Sequence, residues 1–253
     1  GAARRPRGGG PPLKVRLDLL LVERGLFPTR AKAQAALMAG QVRVRGKDRP
    51  KPGDLVARDA EVAVLSPCPF VSRGGLKLAG ALDAFGLDPK GRVCLDLGAS
   101  TGGFTDCLLQ RGAAKVYAVD VGHGQLDAKL RADPRVVSLE KTHARDLSAA
   151  LFSPAPDLAV ADVSFISLTQ VLAPLAACLA RPADLVALVK PQFELVPKKT
   201  PKGVVKDDLH RAEALERVRA RAAELGLAER GVIDSPVAGA KGNREYLVHW
   251  KLG

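Results

Sequence analysis

The sequence predicts an alternating α/β protein, a doubly wound and mostly parallel sheet preceded by a small α+β unit. Three observations predict it. Strand-like apolar runs alternate with helix-like stretches from residue 93 onward. The first of these runs, Val93–Leu97, leads into a turn at Gly98, Gly102 and Gly103, then a helix-like stretch, then a second apolar run at Val116–Val119 that ends on Asp120. Strand, glycine turn, helix, strand and acid form the opening unit of a nucleotide-type site. Charge, finally, divides the chain: residues 1–75 carry +9 of the total +12.

A chain of 253 residues has room for one large domain and one small one. Its 47% apolar content supports a buried core and excludes a disordered tail. A basic module beside a nearly neutral domain points to a polyanionic partner, most simply nucleic acid. Cys68, Cys94, Cys107 and Cys178 show no C-x-x-C spacing, so they are expected to be reduced packing residues of a cytosolic protein. The longest apolar stretch, Val171–Ala180, is interrupted by Pro174 and is too short to span a bilayer. Residues 1–12 are basic and rich in glycine and proline, without the apolar region of a signal peptide, and are expected to be a flexible arm.

Residues 13–65 are expected to form the small basic domain. A helical pattern begins with Val15, Leu17, Leu20 and Leu21 and stops near Gly25; a second helix, Arg30–Met38, stops at Gly40. Val42 and Val44 alternate with Arg43 and Arg45, and Val56, Val62 and Val64 mark further short strands. The run R-L-D-x-L-L-V-E-R-G-L-F-x-x-R-x-x-A, followed by G-x-V-x-V, resembles the S4 RNA-binding domain, with Arg45 where an asparagine is usual. The resemblance implies an RNA face made by the second helix and first strand, which nominates Arg16, Arg30, Lys32, Arg43, Arg45 and Lys47. Such modules grip shape and phosphate rather than sequence.

Residues 66–71 read as a linker, with two prolines in Ser66-Pro67-Cys68-Pro69, and residues 72–253 as the second domain. Arg73-Gly74-Gly75-Leu76-Lys77 opens a helix with Leu78, Leu82 and Phe85 on its apolar face and Gly86 at its end. Further strands are expected at 136–139, 158–161, 185–189, 232–233 and 246–250, and helices near 125–132, 167–180 and 208–225. The last hairpin is expected to supply an antiparallel strand. Tyr246 and Trp250 read as core residues of that strand. Lys198–Lys206 forms a second basic loop followed by His210, and adds Lys198 and Lys199 to the candidate RNA contacts, with Arg73.

The chemistry narrows by elimination. A dinucleotide turn would need glycine at position 100, which is Ser100. The D-x-G-x-x-x-G-G turn instead resembles motif I of S-adenosylmethionine-dependent methyltransferases. An amine-methylating member would show [D/N]-P-P-[Y/F] after the fourth strand, where this chain has Asp162-Val163-Ser164-Phe165. A pyrimidine C5 enzyme needs a nucleophilic cysteine, and neither 162–166 nor 190–194 contains one.

What remains is Lys77, Asp162 at the fourth strand's end, Lys190 at the fifth, and Glu245 in the last hairpin. That order resembles the K-D-K-E tetrad of FtsJ-like ribose 2′-O-methyltransferases. A ribose hydroxyl is weakly acidic and needs a base with positive charge nearby; lysine serves when neutral. The expected roles are Lys190 as base, Asp162 and Glu245 orienting its amine, and Lys77 adding charge.

Together with the S4-like segment, S-R-G-x-x-K-L, L-D-x-G-x-x-x-G-G-F-T-D, A-D-x-S-F-I-S-L and V-K-P-Q-F-E resemble the hemolysin A (TlyA) family from about residue 13 to 252. The resemblance implies a Rossmann-like, seven-stranded methyltransferase sheet. It implies methylation of a cytidine ribose in ribosomal RNA, of the large subunit and in some members also the small. Asp96, Gly98, Ser100, Gly102 and Phe104 would line the methionine end of S-adenosylmethionine, Asp120 would bind its ribose, and Arg145 and Asp146 would lie at the adenine edge, with His143 where an asparagine is expected. The implied partner is ribosomal RNA or a subunit, in the cytoplasm, with no metal or membrane and the chain a monomer. Two rivals are a non-catalytic rRNA-binding assembly factor, which cofactor titration separates, and a membrane-lytic protein, which a liposome leakage assay separates.

Overall fold

The computed structural model describes residues 14–65 and 68–253, which fall into two compact units. The expected arm over 1–12 and the Ser66-Pro67 part of the linker lie outside the described residues.

The first unit runs β1 (Lys14–Arg16), α1 (Leu17–Glu23), α2 (Arg30–Met38), β2 (Val42–Val44), β3 (Leu55–Ala57) and β4 (Val62–Val64). Two antiparallel pairs form, β1 with β3 and β2 with β4. The helix expected from Val15 starts two residues later. Val15 pairs with Val56, Arg16 is extended, and Leu17 N donates to Asp54 O, so the β-branched residue follows its strand partner. Leu17, Leu20, Leu21, Ala33, Leu37, Val42, Val44 and Val56 make the small core. Thr29 caps α2 by accepting from Lys32 N.

The second unit contains α3 (Gly74–Phe85), β5 (Val93–Leu97), α4 (Gly103–Gln110), β6 (Lys115–Val119), α5 (Ala128–Arg131), β7 (Val136–Leu139), β8 (Leu158–Ala161), α6 (Leu168–Ala177), β9 (Ala183–Val189), α7 (Pro191–Glu194), α8 (Asp208–Glu224), β10 (Ala228–Asp234) and β11 (Tyr246–Leu252). One seven-stranded sheet has the order β10-β11-β9-β8-β5-β6-β7. The five strands from β5 to β9 pair in parallel, and β11 lies between β9 and β10, antiparallel to both. Parallel strands covered on both faces read as unbroken apolar runs, and all seven residues of β9 are buried. Separate apolar clusters fill the two faces, one around Leu95, Leu172 and Trp250, the other around Leu78, Leu108 and Leu188.

Two expectations shift. The helix expected near 125–132 contracts to α5, opened by Asp127 accepting from Lys129 N. The linker segment 69–71 is fastened to α4 rather than standing free: Val71 N donates to Asp106 Oδ2, and Gln110 Nε2 donates to Pro69 O. The strand order reverses around β5, whose neighbours are β6 and β8. Ligand crevices of open α/β sheets form at such a point, outside the carboxyl ends of the strands. Asp120, Asp162 and Lys190 each follow directly on a strand there.

Candidate active site and nucleic-acid face

The turn after β5 is shaped by close backbone approach. Gly98 has φ +84°, and a Cβ there would lie 2.5 Å from Asp162 O, so a side chain is excluded on both counts. Gly98 N and Ala99 N both donate to Val119 O, which bends the chain away from β6. Asp120 then anchors the turn: its Oδ2 accepts from Ser100 N at 2.8 Å and its Oδ1 from Gly122 N at 2.7 Å.

Asp96 lies beneath this turn rather than on its surface. It is fully buried, Oδ2 accepts from Thr105 N and Thr105 Oγ1, and Oδ1 has no partner among the described residues. Burial pushes its carboxyl up to about 7. Asp96 therefore holds the start of α4 and lines neither of the two cavities at this edge. Gly102, at the N-cap of α4 with φ +99°, also stays out of both.

The first cavity, about 370 Å³, is walled by Ser72, Arg73, Gly74 and Lys77 from the start of α3, by Gly98, Ser100 and Phe104, by Asp162, Ser164 and Lys190, and by residues 237–240. The second, about 500 Å³, shares Gly98, Ser100, Asp162 and Ser164 with it and extends past Asp120, Val121, Val163 and Ile166 to Thr142, His143 and Ala144. Arg145 and Asp146, expected at this edge, are exposed and line neither: Arg145 donates to Gln170 on α6, and the preceding residues 142–144 form the wall.

The four tetrad residues resolve into two ion pairs. Lys77 Nζ lies 2.6 Å from Glu245 Oε2, and Lys190 Nζ lies 2.6 Å from Asp162 Oδ1. Glu245, expected to orient Lys190, bonds Lys77 instead, because the loop before β11 brings it over the first turn of α3. Lys77 and Lys190 both face the first cavity. The Lys190 amine donates a hydrogen bond to Ser164 Oγ at 2.7 Å, whereas Asp162 Oδ1 lies outside hydrogen-bond angle.

Sequence reasoning passed over three neighbours of this lysine. Phe165 is 91% exposed at φ +63° and packs against Phe193, ring centroids 5.1 Å apart. Glu194 is buried and accepts from Ser167 Oγ and Leu168 N, tying the loop after β9 to the loop after β8. Ser164 is the third. All lie inside the quoted motifs A-D-x-S-F-I-S-L and V-K-P-Q-F-E, which was the one available signal.

In the first unit, Asp18 is fully buried and gathers three donors: Arg16 through Nε and Nη2, Arg30 Nε at 2.8 Å and Gln34 Nε2 at 2.8 Å. The Arg16 hydrogen bonds, joined by Gln34 and Arg30, hold its carboxyl well below the usual range. Both guanidiniums remain about half exposed. Lys47 pairs with Asp54 and Arg45 with Glu61, while Lys32 and Arg43 are exposed without an ion pair among the described residues. In the second unit Lys198 is exposed, and Lys199 is engaged by Glu213 on α8.

Residues 70–252 match the family model for FtsJ-like methyltransferases, and residues 15–62 match the S4 domain. The chain is 49% identical to the 16S/23S rRNA (cytidine-2′-O)-methyltransferase TlyA of Mycobacterium tuberculosis, over 93% of this chain and 89% of that one. A solved structure of a hemolysin-named protein from Streptococcus thermophilus superposes with a TM-score of 0.75 at 43% identity, covering 95% of this chain and 88% of that one. An S-adenosylmethionine-dependent methyltransferase from Mesorhizobium loti shares the fold at TM-score 0.51 and 17% identity, covering 72% of this chain and all of that one. With an S4 domain ahead of a catalytic sheet that carries both lysine–carboxylate pairs, the chain belongs to the FtsJ-like methyltransferases, in their TlyA, or hemolysin A, group.

Proposed function

We propose that this chain methylates the 2′-oxygen of a cytidine ribose in ribosomal RNA, with S-adenosylmethionine as donor. One observation carries the reading: two lysines, each paired with a carboxylate, converge on one cavity beside a nucleotide-type turn. No cysteine lies in the loops after β8 and β9, which suits an oxygen rather than a pyrimidine carbon. The substrate is that named for the relative at 49% identity.

The residues present fit the cofactor. Each Asp120 oxygen accepts one backbone N–H and keeps a further lone pair for a ribose hydroxyl. Val121, Val163 and Ile166 give an apolar wall suited to an adenine ring. Gly98, Ser100, Asp162 and Ser164, where the two cavities meet, are the residues that would face the methionine end and the methyl. When bound, S-adenosylmethionine supplies a methyl already activated by its sulfonium.

The chain's own residues then have to position and deprotonate the acceptor. Lys190, as the neutral amine, is placed to accept the 2′-hydroxyl proton. Asp162 and Ser164 hold that amine at the cavity wall. Lys77, held by Glu245, offers fixed positive charge to the developing oxyanion. Phe165, exposed on the loop after β8 and packed against Phe193, offers a ring face on which a nucleobase can stack. The S4 unit adds phosphate contacts through Arg16, Arg30, Lys32 and Arg43. On this reading the enzyme works in the cytoplasm, where its substrate is. Among the described residues no helix is long and apolar enough to cross a membrane, and no cluster of His, Cys, Asp and Glu is placed to hold a metal ion.

The test is ribose-methylation mapping on unmethylated large and small subunits and on free rRNA, with wild-type chain and Lys190→Ala. The expected result is one cytidine site or a few, methylated by the wild type and not by the variant, while both bind RNA equally. Methylation by the variant at the wild-type rate removes Lys190 from its role. Methyl transfer to a base instead of a ribose overturns the reading.

A further inference from the structure

We propose that Ser164 is a positioning residue that sets the direction of the Lys190 amine; the inference rests on the reading of the site as a ribose hydroxyl methyltransferase. Lysine ends in a compact group on a flexible stem, and one ion pair fixes how far that group reaches without fixing its rotation. A directional partner is needed for the nitrogen lone pair to point at the acceptor.

Among the described residues, Ser164 Oγ is the hydrogen-bond acceptor of that amine, at 2.7 Å. Asp162 Oδ1, though 2.6 Å away, receives no hydrogen bond. Distance is therefore set by Asp162 and rotation by Ser164. Ser164 also belongs to the wall of both cavities, and Lys190 lines the first, so the bond between them sits at the edge of the space that donor and acceptor must share.

The serine is held in that place by its own loop. Glu194, four residues beyond Lys190, accepts from Ser167 Oγ and from Leu168 N, three and four residues beyond Ser164. Arg217 on α8 donates to Glu194 O at 2.9 Å and secures the other side. Ser167 already caps α6 by accepting from Thr169 N, so the buried carboxylate is not required for the cap alone. What it adds is a fixed spacing between the serine and the lysine. Through the reaction Ser164 keeps its own proton; the ribose proton goes to Lys190, and the oxygen of Ser164 accepts from the amine before and after.

A merely solvated surface hydroxyl would tolerate removal. Ser164→Ala and Ser164→Thr are compared with the wild-type full chain, using S-adenosylmethionine and unmethylated ribosomal subunits, with kcat, KM for RNA, calorimetric cofactor affinity and the pH–rate profile as readouts. Ser164→Ala is expected to lower kcat roughly 10- to 100-fold, the scale of a lost hydrogen bond to a charged group. Cofactor affinity and KM for RNA stay at wild-type values. The pH of half-maximal rate moves down, because an acceptor that favours the protonated amine has gone. Ser164→Thr, which keeps the hydroxyl, restores both kcat and profile. An active wild type with an unaltered Ser164→Ala kcat overturns the inference alone, as does a loss matched by equal loss of cofactor affinity or left unrescued by threonine. A wild type that binds cofactor and transfers no methyl to ribose overturns the parent reading, and this inference with it.

Discussion

Lys77 and Glu245 touch at 2.6 Å although 168 positions separate them in the chain. Both side chains are nearly closed to solvent, so the pair is a commitment of the fold as well as of the site.

Glu245→Gln leaves the Lys77 ammonium at a closed position without its counter-charge. Breaking one side of such a pair costs about 3–5 kcal/mol, more than replacing both partners with matched apolar groups. Denaturant unfolding is expected to show that loss, and Lys77→Met combined with Glu245→Leu to recover most of it. Methyl transfer stays low in both: in the single variant Lys77 is no longer held in place, and in the double variant its charge is gone.

Phe165→Ala removes an exposed ring and leaves the core untouched, so the melting temperature is expected to hold. Stacking on one base contributes roughly 1–3 kcal/mol, which predicts a roughly 5- to 150-fold loss in kcat/KM for RNA. Cofactor affinity measured by calorimetry does not change.

Asp18→Asn tests the buried anchor of the two arginines. Because hydrogen bonds from Arg16 and its neighbours hold the carboxyl low, its stabilisation is present above the ordinary aspartate pKa of about 3.9 and is lost as pH falls through the folded value. The variant is therefore expected to be less stable than wild type by an equal margin from pH 5 upward, with the two curves converging in stronger acid. Its affinity for rRNA falls and the salt dependence flattens, because Arg16 and Arg30 are no longer held in place.

Asp96 behaves in the opposite sense. Burial raises its folded pKa to about 7, so the group favours folding below the ordinary aspartate value and withdraws that stabilisation as pH rises through about 7. Asp96→Asn is expected to flatten the pH dependence of thermal unfolding between pH 5 and 8. Since Asp96 lines neither cavity, cofactor affinity falls far less than with Asp120→Ala.

The α/β class was legible because parallel strands buried on both faces write themselves as unbroken apolar runs, as Leu158–Ala161 and Leu185–Val189 do. The placing of acids and lysines at strand ends was legible for the same reason: each run stops at the charge. Partnership was not legible. That Glu245 meets Lys77 depends on β11 inserting beside β9, a pairing over distance that no local pattern encodes. Val15 was read into a helix together with Leu17, Leu20 and Leu21, while the strand partner that claims it, Val56, lies far along the chain. Phe165 entered the sequence reading only as the end of Asp162-Val163-Ser164-Phe165; its outward position goes with a positive φ in the folded loop, which no residue type there announces.

The position of β11 has a consequence for the order in which the enzyme comes into being. The last strand in the chain is not at the sheet's rim but between β9 and β10. During synthesis the cofactor turn and Lys190 emerge well before the segment that closes the gap beside β9. Until then β9 is an open edge and Lys77 has no partner. The Lys77–Glu245 pair therefore depends on the insertion of β11, and a sheet that had formed only as far as β9 would carry the glycine turn and Lys190 without it.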